Sequence, residues 1–119
     1  MSRSPRRFAS KVIAGARLFD RGLYFEAHEA WEEHWLVETV VMERRLLQGL
    51  IQIAAAFHKL LVMHSPAPAA SLFHKGLTKL DACPREVDGW DFGPFRDAVR
   101  DYARTVRTLT ARAAARPRS

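Results

Sequence analysis

The sequence predicts an all-α protein, a compact antiparallel bundle of about five helices. Apolar residues recur every three or four positions along most of the chain, and only Gly22, 65–68 and 84–94 interrupt them as turns do. No strand-like alternation, repeat or glycine-rich phosphate loop is present, which argues against nucleotide-binding α/β folds. The 119 residues, 48% of them hydrophobic, suffice for one core. We therefore expect a single domain over residues 1–119.

The first two predicted helices are separated by a short turn that contains Gly22. The first is predicted from about Pro5 to Arg21, and Gly22 is suited to cap its carboxyl end. The second, which is acidic and aromatic, is predicted from about Tyr24 to Leu36. The apolar stripe of the first helix consists of Phe8, Val12, Ala16 and Phe19.

The remaining helices are bounded by proline-containing turns. A third, from about Val40 to His64, has two adjoining apolar stripes and should be central. Ser65 is predicted to cap a fourth helix, which ends at Cys83 and Pro84. A fifth, over about 91–114, follows, and we expect residues 115–119 to be disordered. Its predicted buried residues are Phe95, Val99, Tyr102, Val106 and Leu109.

The net charge of +6 is unevenly distributed, since residues 22–43 carry six acidic and no basic side chains. An acidic block between basic ones favours internal neutralisation over a uniformly basic surface. No apolar run is long enough to span a membrane, and the basic N-terminus lacks the apolar stretch of a signal peptide. Cys83 is the only cysteine, so no intrachain disulfide can form. These features predict a cytoplasmic protein that does not contact membranes.

The acidic helix is the strongest candidate for chemistry. His28 and Glu32 lie four residues apart, so both can reach one point, and His28-Glu29-Ala30-Trp31-Glu32 resembles the zinc-protease helix motif. In that interpretation His28 and Glu32 bind a divalent metal ion and Glu29 is the general base of a metal-assisted hydrolysis. A catalytic zinc site needs a third protein ligand, for which His58 is the candidate.

Two alternatives to a metal site remain open. Arginines such as Arg17, Arg21, Arg44 or Arg45 could pair with Glu29 and Glu32, which would make the cluster structural. The cluster could also recognise a ligand without a metal. In each case Gln48 and Gln52 are expected to hydrogen-bond the acidic helix. The predicted supporting residues are Tyr24, Trp31, Trp35, Gln48 and Gln52.

Two further functions follow from the surfaces of the predicted bundle. The last helix places Arg96, Arg100, Arg104 and Arg107 on one stripe, which could follow the phosphates of a nucleic acid. Asp97 and Asp101 flank the stripe and no aromatic residue interrupts it, so a solvated, salt-bridged face is favoured. A small bundle with wide apolar helices could instead be a protein-interaction module that hides its surplus face in a homodimer.

Two motifs resemble a known family. The first is the segment 19–35, which contains Glu26-Ala27-His28-Glu29, Glu32 and Trp35, and the second is the segment 48–56. Together they resemble the bacterial and archaeal family called domain of unknown function 309, over about Phe19 to Leu80. The resemblance implies a compact all-α fold and no established activity. Asp20 replaces a typical asparagine, and a proline-rich turn after His64 replaces a glycine-containing one.

Overall fold

The computed structural model describes residues 6–115, and within them five α-helices confirm the predicted all-α class. The predicted disordered tail lies outside these residues except for Ala115, which ends the last helix. The α-helices are α1 (Arg6–Asp20), α2 (Tyr24–Val37), α3 (Val41–Phe57), α4 (Pro66–Asp81) and α5 (Gly93–Ala115). A π-helical segment, His58–Val62, continues α3, and two short strands, β1 (Glu86–Val87) and β2 (Trp90–Asp91), precede α5.

Helix α3 is central, as its two apolar stripes predict. It packs against α2 on one side and α4 on the other, while α1 packs on α2 and α5 packs on α4. Its buried residues, which include Leu46, Leu47 and Ile53, meet Phe8 of α1 and Phe73 of α4 in one continuous core. The α2–α3 interface therefore lies between two rigid elements, and this interface carries the candidate site.

Helices α3 and α4 approach each other closely where Gly49 faces Gly76. A Cβ atom built on Gly49 would lie 3.1 Å from the carbonyl oxygen of Gly76, and one on Gly76 would lie 2.9 Å from that of Gly49. Only residues without a side chain allow the two backbones to come this close. This contact fixes α4 firmly against the face of α3 that points away from α2.

The turn between α1 and α2 is built as predicted. Gly22 has φ +77°, a left-handed conformation that favours glycine. The amide N–H of Leu23 donates to the carbonyl of Leu18 at 3.0 Å, which closes the carboxyl end of α1 in the manner of a Schellman cap. The chain can therefore reverse direction and begin α2 within three residues.

Two local predictions are wrong. The single helix expected over 40–64 changes to π-helical geometry at His58, and the amide of Met63 donates to the carbonyl of His58 at 3.1 Å. Ser65 precedes α4 as predicted, but its hydroxyl donates to the carbonyl of Met63 at 3.3 Å and does not cap the helix. Ser65 contributes to the start of α4 only through its backbone, since its carbonyl oxygen accepts a hydrogen bond from the amide of Ala69.

The segment before α5 is a small hairpin, although the sequence predicted no strand. Val87 pairs with Trp90, and the two residues between them, Asp88 and Gly89, both have positive φ. Asp-Gly with two positive φ angles is the signature of a type I′ turn. A strand of two residues is too short to show apolar alternation in the sequence. The dipeptide Asp88-Gly89 is therefore the one feature of the sequence that indicates the hairpin.

Helix α5 extends beyond the rest of the bundle. The molecule measures 67 Å along its longest axis and 24 Å across it, and the last residues of α5, 111–115, are all exposed. Val99 and Val106 are buried as predicted, but Leu109 is 56% exposed, because it lines an open groove with Leu60, Leu61 and Pro66. Tyr102 is also exposed. Within residues 6–115, no helix has the length and apolar character that crossing a membrane would require.

Candidate functional site

A cleft of about 150 Å³ lies between α2 and α3. Helix α2 contributes three side chains one helical turn apart, and α3 contributes three from its facing surface. The sequence predicted that the residues of α2 and the two glutamines would come together, and the structure brings them together. The lining residues are His28, Glu32, Trp35, Gln48, Ile51 and Gln52.

His28 and Trp35 each present a buried nitrogen without a hydrogen-bond partner. His28 Nδ1 lies 3.6 Å from Glu32 Oε2, which is beyond hydrogen-bonding distance, and Trp35 Nε1 is also unpaired. A buried polar atom that lacks a partner costs about 1–3 kcal/mol. Both atoms belong to residues that line the same cleft, and unpaired buried polar atoms of this kind are uncommon in native structures.

The two glutamines do not hydrogen-bond the acidic helix, so that prediction is wrong. Gln52 Oε1 instead accepts a hydrogen bond from Lys79 Nζ of α4 at 2.8 Å. Because Lys79 holds the oxygen of this amide, the NH₂ group of Gln52 remains a donor for the cleft. Gln48 makes no hydrogen bond with its side chain among the described residues and keeps both its donor and its acceptor.

A second cleft of about 260 Å³ adjoins the first at His28, which lines both. The π-helical segment shapes it, because His58 and Lys59 begin that segment and Met63 follows it. Phe25 lies between the two histidines, with its ring centroid 6.2 Å from that of His28 and 5.6 Å from that of His58. Sequence reasoning singled out His58 but missed Lys59 and Met63, although Ala55, Lys59 and Met63 follow at intervals of four residues, which is the spacing of one helical face.

Glu29 does not lie where the sequence predicts. Phe25 and Leu36, the large apolar residues that share the Glu29 side of α2, are 50% and 63% exposed, so this side of the helix is not buried. The buried side of α2 is centred on Ala27 and Trp31, and Glu29 points directly away from it into solvent. Glu29 lines neither cleft, so it is not positioned to act as a general base for the other residues.

Two of the predicted supporting residues belong to the core. Trp31 is buried, and its Nε1 donates to the carbonyl oxygen of Val12 in α1 at 3.0 Å. Tyr24 stacks on Phe57, with 5.3 Å between ring centroids, and meets Phe19 edge to face. Both residues hold α2 against its neighbours, and neither lines the two clefts.

The arginines do not neutralise the glutamates of α2. Among the described residues, no lysine or arginine forms an ion pair with Glu29 or Glu32. Arg44 stacks over the ring of Trp35, 4.2 Å from its centroid, and donates to the carbonyl of Trp35 at 2.8 Å. It thereby fixes the indole at the edge of the cleft and leaves the carboxylate of Glu32 unpaired with a cation.

The ligand set that a metal ion would need is incomplete. In the described part of the chain, no three His, Cys, Asp or Glu side chains come close enough together to hold a metal ion. His28 and Glu32 are neighbours, but His58 lines the adjoining cleft and not theirs. Binding of a metal by His28, Glu32 and His58 therefore stays a prediction that needs a rearrangement.

The arginine stripe of α5 is not one surface. Arg96 is buried, and its Nη2 donates to the carbonyl oxygens of Cys83 and Pro84 at 2.9 and 2.6 Å. The prediction that Arg96 lies on an exposed phosphate-binding stripe is therefore wrong. Arg96 instead joins the segment after α4 to α5. Arg100 is held by Asp81, and Arg104 and Arg107 are exposed.

Comparison with known families identifies the chain by its first four helices. The profile of the family described as "Domain of unknown function (DUF309)" matches residues 12–72. The chain belongs to the DUF309 family. The match runs from the middle of α1 into α4, so it includes both clefts of the α2–α3 interface and excludes the hairpin and α5. No curated protein matches the chain.

Proposed function

We propose that this DUF309 protein binds a small polar molecule in the cleft between α2 and α3. The observation that carries the proposal is the pair of buried, unpaired nitrogens on His28 and Trp35, two residues that line one cleft. Groups that are left without partners in a rigid interface favour a ligand that satisfies them, since binding then recovers their hydrogen bonds.

The chemistry of the lining defines the ligand. Trp35 can only donate, and the amide NH₂ of Gln52 donates because Lys79 occupies its oxygen, so the ligand must carry an acceptor such as a carbonyl or carboxylate. The ionised carboxylate of Glu32 can accept hydrogen bonds but cannot donate them, so the ligand must also carry an N–H or O–H donor. Amides, amino acids and amino alcohols have this combination.

Glu32 lies next to the unpaired imidazole nitrogen. Its side chain is 43% exposed and its Oε2 lies 3.6 Å from His28 Nδ1, so a ligand that donates to the carboxylate also lies beside the imidazole. The adjoining cleft, with Phe25, Ala55 and Met63 in its wall, is suited to an apolar extension of the same ligand, and His58 and Lys59 line it as polar groups. The two clefts together resemble the usual design of ligand sites, which combine apolar walls with few polar groups.

The experiment monitors the indole N–H signals of the protein by NMR during titration with a panel of small amides, amino acids and amino alcohols. Trp35→Phe removes one indole signal and so assigns it. We expect at least one compound to shift the Trp35 signal saturably. We expect Glu32→Gln to weaken that binding roughly tenfold, which is the effect of about 1.4 kcal/mol. Glu29→Gln, a matched change on the exposed face of α2, should leave it unchanged.

Two outcomes contradict the proposal. If no compound shifts the Trp35 indole signal, or if Glu29→Gln weakens binding as much as Glu32→Gln, the cleft is not the binding site. Titration with Zn²⁺ or Mn²⁺ tests the metal interpretation on the same samples. Saturable metal binding that is lost in His28→Ala would replace the proposal with a metal site.

Self-association is a second candidate function, and one surface favours it. The turn between α2 and α3 exposes a run of large apolar residues, of which Val37 and Val41 are 76% and 70% exposed. An exposed apolar run of this kind marks interaction surfaces. Sedimentation equilibrium over a wide concentration range tests it. A homodimer that Val37→Asp dissociates would support the proposal, and a monomer at all concentrations would end it.

A further inference from the structure

A groove lies between α4 and α5, and it shares no lining residue with the α2–α3 clefts. It has a volume of about 350 Å³, within the range of ligand pockets. Two facing stripes form its polar wall, each with the spacing of one helical face. They are His74, Thr78 and Asp81 on α4 and Arg100, Arg104 and Arg107 on α5.

One arginine of the groove is fixed in place. Arg100 Nη2 and Nη1 donate to the two carboxylate oxygens of Asp81 at 2.7 and 3.2 Å, a bidentate pair that joins α5 to α4. This arrangement neutralises Arg100 and holds its guanidinium in one orientation. Both residues of the pair line the groove, so its uncompensated positive charge comes from the other two arginines.

Arg104 and Arg107 carry charge that nothing in the groove balances. Arg104 Nη1 lies 3.6 Å from Asp101 on its own helix, an exposed pair that contributes little and exchanges readily with another anion. Arg107 forms no ion pair and no side-chain hydrogen bond among the described residues. With three arginines and one aspartate, the lining has a net charge of +2 when His74 is neutral.

We infer that this groove binds a small phosphate monoester. Two neighbouring guanidinium groups one turn apart can each present a fork of N–H donors to one dianionic phosphate. The ring of His74 adds a further donor on the opposite helix. Ala70, Leu77 and Ala103 also line the groove and offer apolar contact for the organic part of the ester.

The same observations disfavour a nucleic acid on this face. Arg96 is buried and Arg100 is neutralised, so the four-arginine stripe is reduced to two free guanidinium groups. The imidazole of His74 is the one aromatic ring among the residues that line the groove, so bases have almost no surface on which to stack. A short groove with two uncompensated cations fits one phosphate group better than a chain of them.

The test is calorimetric titration of the full chain with phenyl phosphate at about 0.15 M salt, where long-range attraction is largely screened. We expect saturable binding that the double variant Arg104→Gln, Arg107→Gln weakens at least roughly tenfold. Arg112→Gln, an exposed change on the same helix outside the groove, should leave the affinity within a factor of about two. Asp81→Asn should tighten binding, because it removes the one negative charge of the lining. Damage to the fold cannot produce such a gain.

Three outcomes overturn the inference. They are the absence of saturable binding, an equal loss of affinity in Arg112→Gln, and weaker binding in Asp81→Asn. Titration with a single-stranded oligonucleotide separates the two sources of phosphate. If the oligonucleotide binds much more tightly than phenyl phosphate, and with a steep salt dependence, the face is a nucleic-acid surface. These results do not depend on the α2–α3 cleft, since the two sites share no residue.

Discussion

Gly15 of α1 lies directly against the indole of Trp31 in α2. A Cβ atom at Gly15 would be only 2.2 Å from Nε1 of that indole, far inside contact distance. The same Nε1 donates to the carbonyl of Val12, one turn earlier in α1. The absence of a side chain at Gly15 therefore allows the indole to lie on the α1 backbone and to join the two helices.

Gly15→Ala should destabilise the protein. In an open helix this change would stabilise by about 0.5–1 kcal/mol, but here the methyl group meets a rigid ring, and overpacking of this kind costs about 1–3 kcal/mol. We expect the loss to dominate in urea unfolding measured by circular dichroism.

A double-mutant cycle isolates this contact. Trp31→Phe removes the indole nitrogen and its hydrogen bond, so it should be destabilising by itself. The double variant should lose less stability than the two single variants lose together, because phenylalanine lacks the nitrogen atom that the new methyl group would strike. Strict additivity would show that Gly15 and Trp31 do not share this contact.

His64→Gly should stabilise the protein by about 0.5–1 kcal/mol. Glycine relieves the cost of the left-handed conformation, and this gain is reduced by the larger conformational entropy that glycine loses on folding. His64 has φ +54° at the end of the π-helical segment, a conformation that non-glycine residues adopt at a cost. Thermal unfolding provides the measurement. The same substitution at His74, an exposed position inside α4, is the matched control and should destabilise, since glycine weakens a helix interior. A loss of stability at both positions would contradict the strain at His64.

Much of the fold could be predicted because helical periodicity and turn residues report local structure directly. The helix bounds of α1 and α2 and the cap at Gly22 follow from the apolar repeat and from the conformational freedom of glycine. The π-helical segment could not be predicted, since His58–Val62 keeps the same apolar spacing that a regular helix would have. Its geometry depends on tertiary packing, which periodicity does not record.

The site could be predicted only in part, because the direction of a helical face depends on its neighbours. The i, i+4 spacing correctly placed His28 and Glu32 together, and it also grouped Trp35 with them. The sequence could not show that α1 covers the Trp31 side of α2, which turns Glu29 into solvent. Nor could it show that Lys79, a residue of α4, holds Gln52.

The stability of the protein should fall at high pH in a way that depends on Cys83. Burial raises the pKa of this thiol above its ordinary value of 9.0, against the smaller opposing effects of Arg96 and Arg45. A pKa that is higher in the folded state gives stability that is complete below the unfolded pKa and is lost as the pH rises through the folded one. Urea unfolding at pH 7 and pH 10 should therefore show a smaller loss of stability in Cys83→Ala than in the wild-type chain. Equal losses in the two proteins would contradict the raised pKa.

Arg96→Ala should destabilise the protein by about 2–4 kcal/mol, because it deprives two carbonyl groups of their donor and leaves a cavity. Arg96 is buried, and one of its terminal nitrogens donates to the carbonyls of both Cys83 and Pro84, where the chain leaves α4. Arg104→Ala, on the exposed surface of the same helix, should change stability by less than about 0.5 kcal/mol. Urea unfolding of both variants makes the comparison.

Arg96→Lys separates the effect of charge from that of geometry at this position. Lysine keeps the positive charge but lacks the planar guanidinium, so we expect Arg96→Lys to retain only part of the stability that Arg96→Ala loses. Full recovery would show that the charge alone matters at this position.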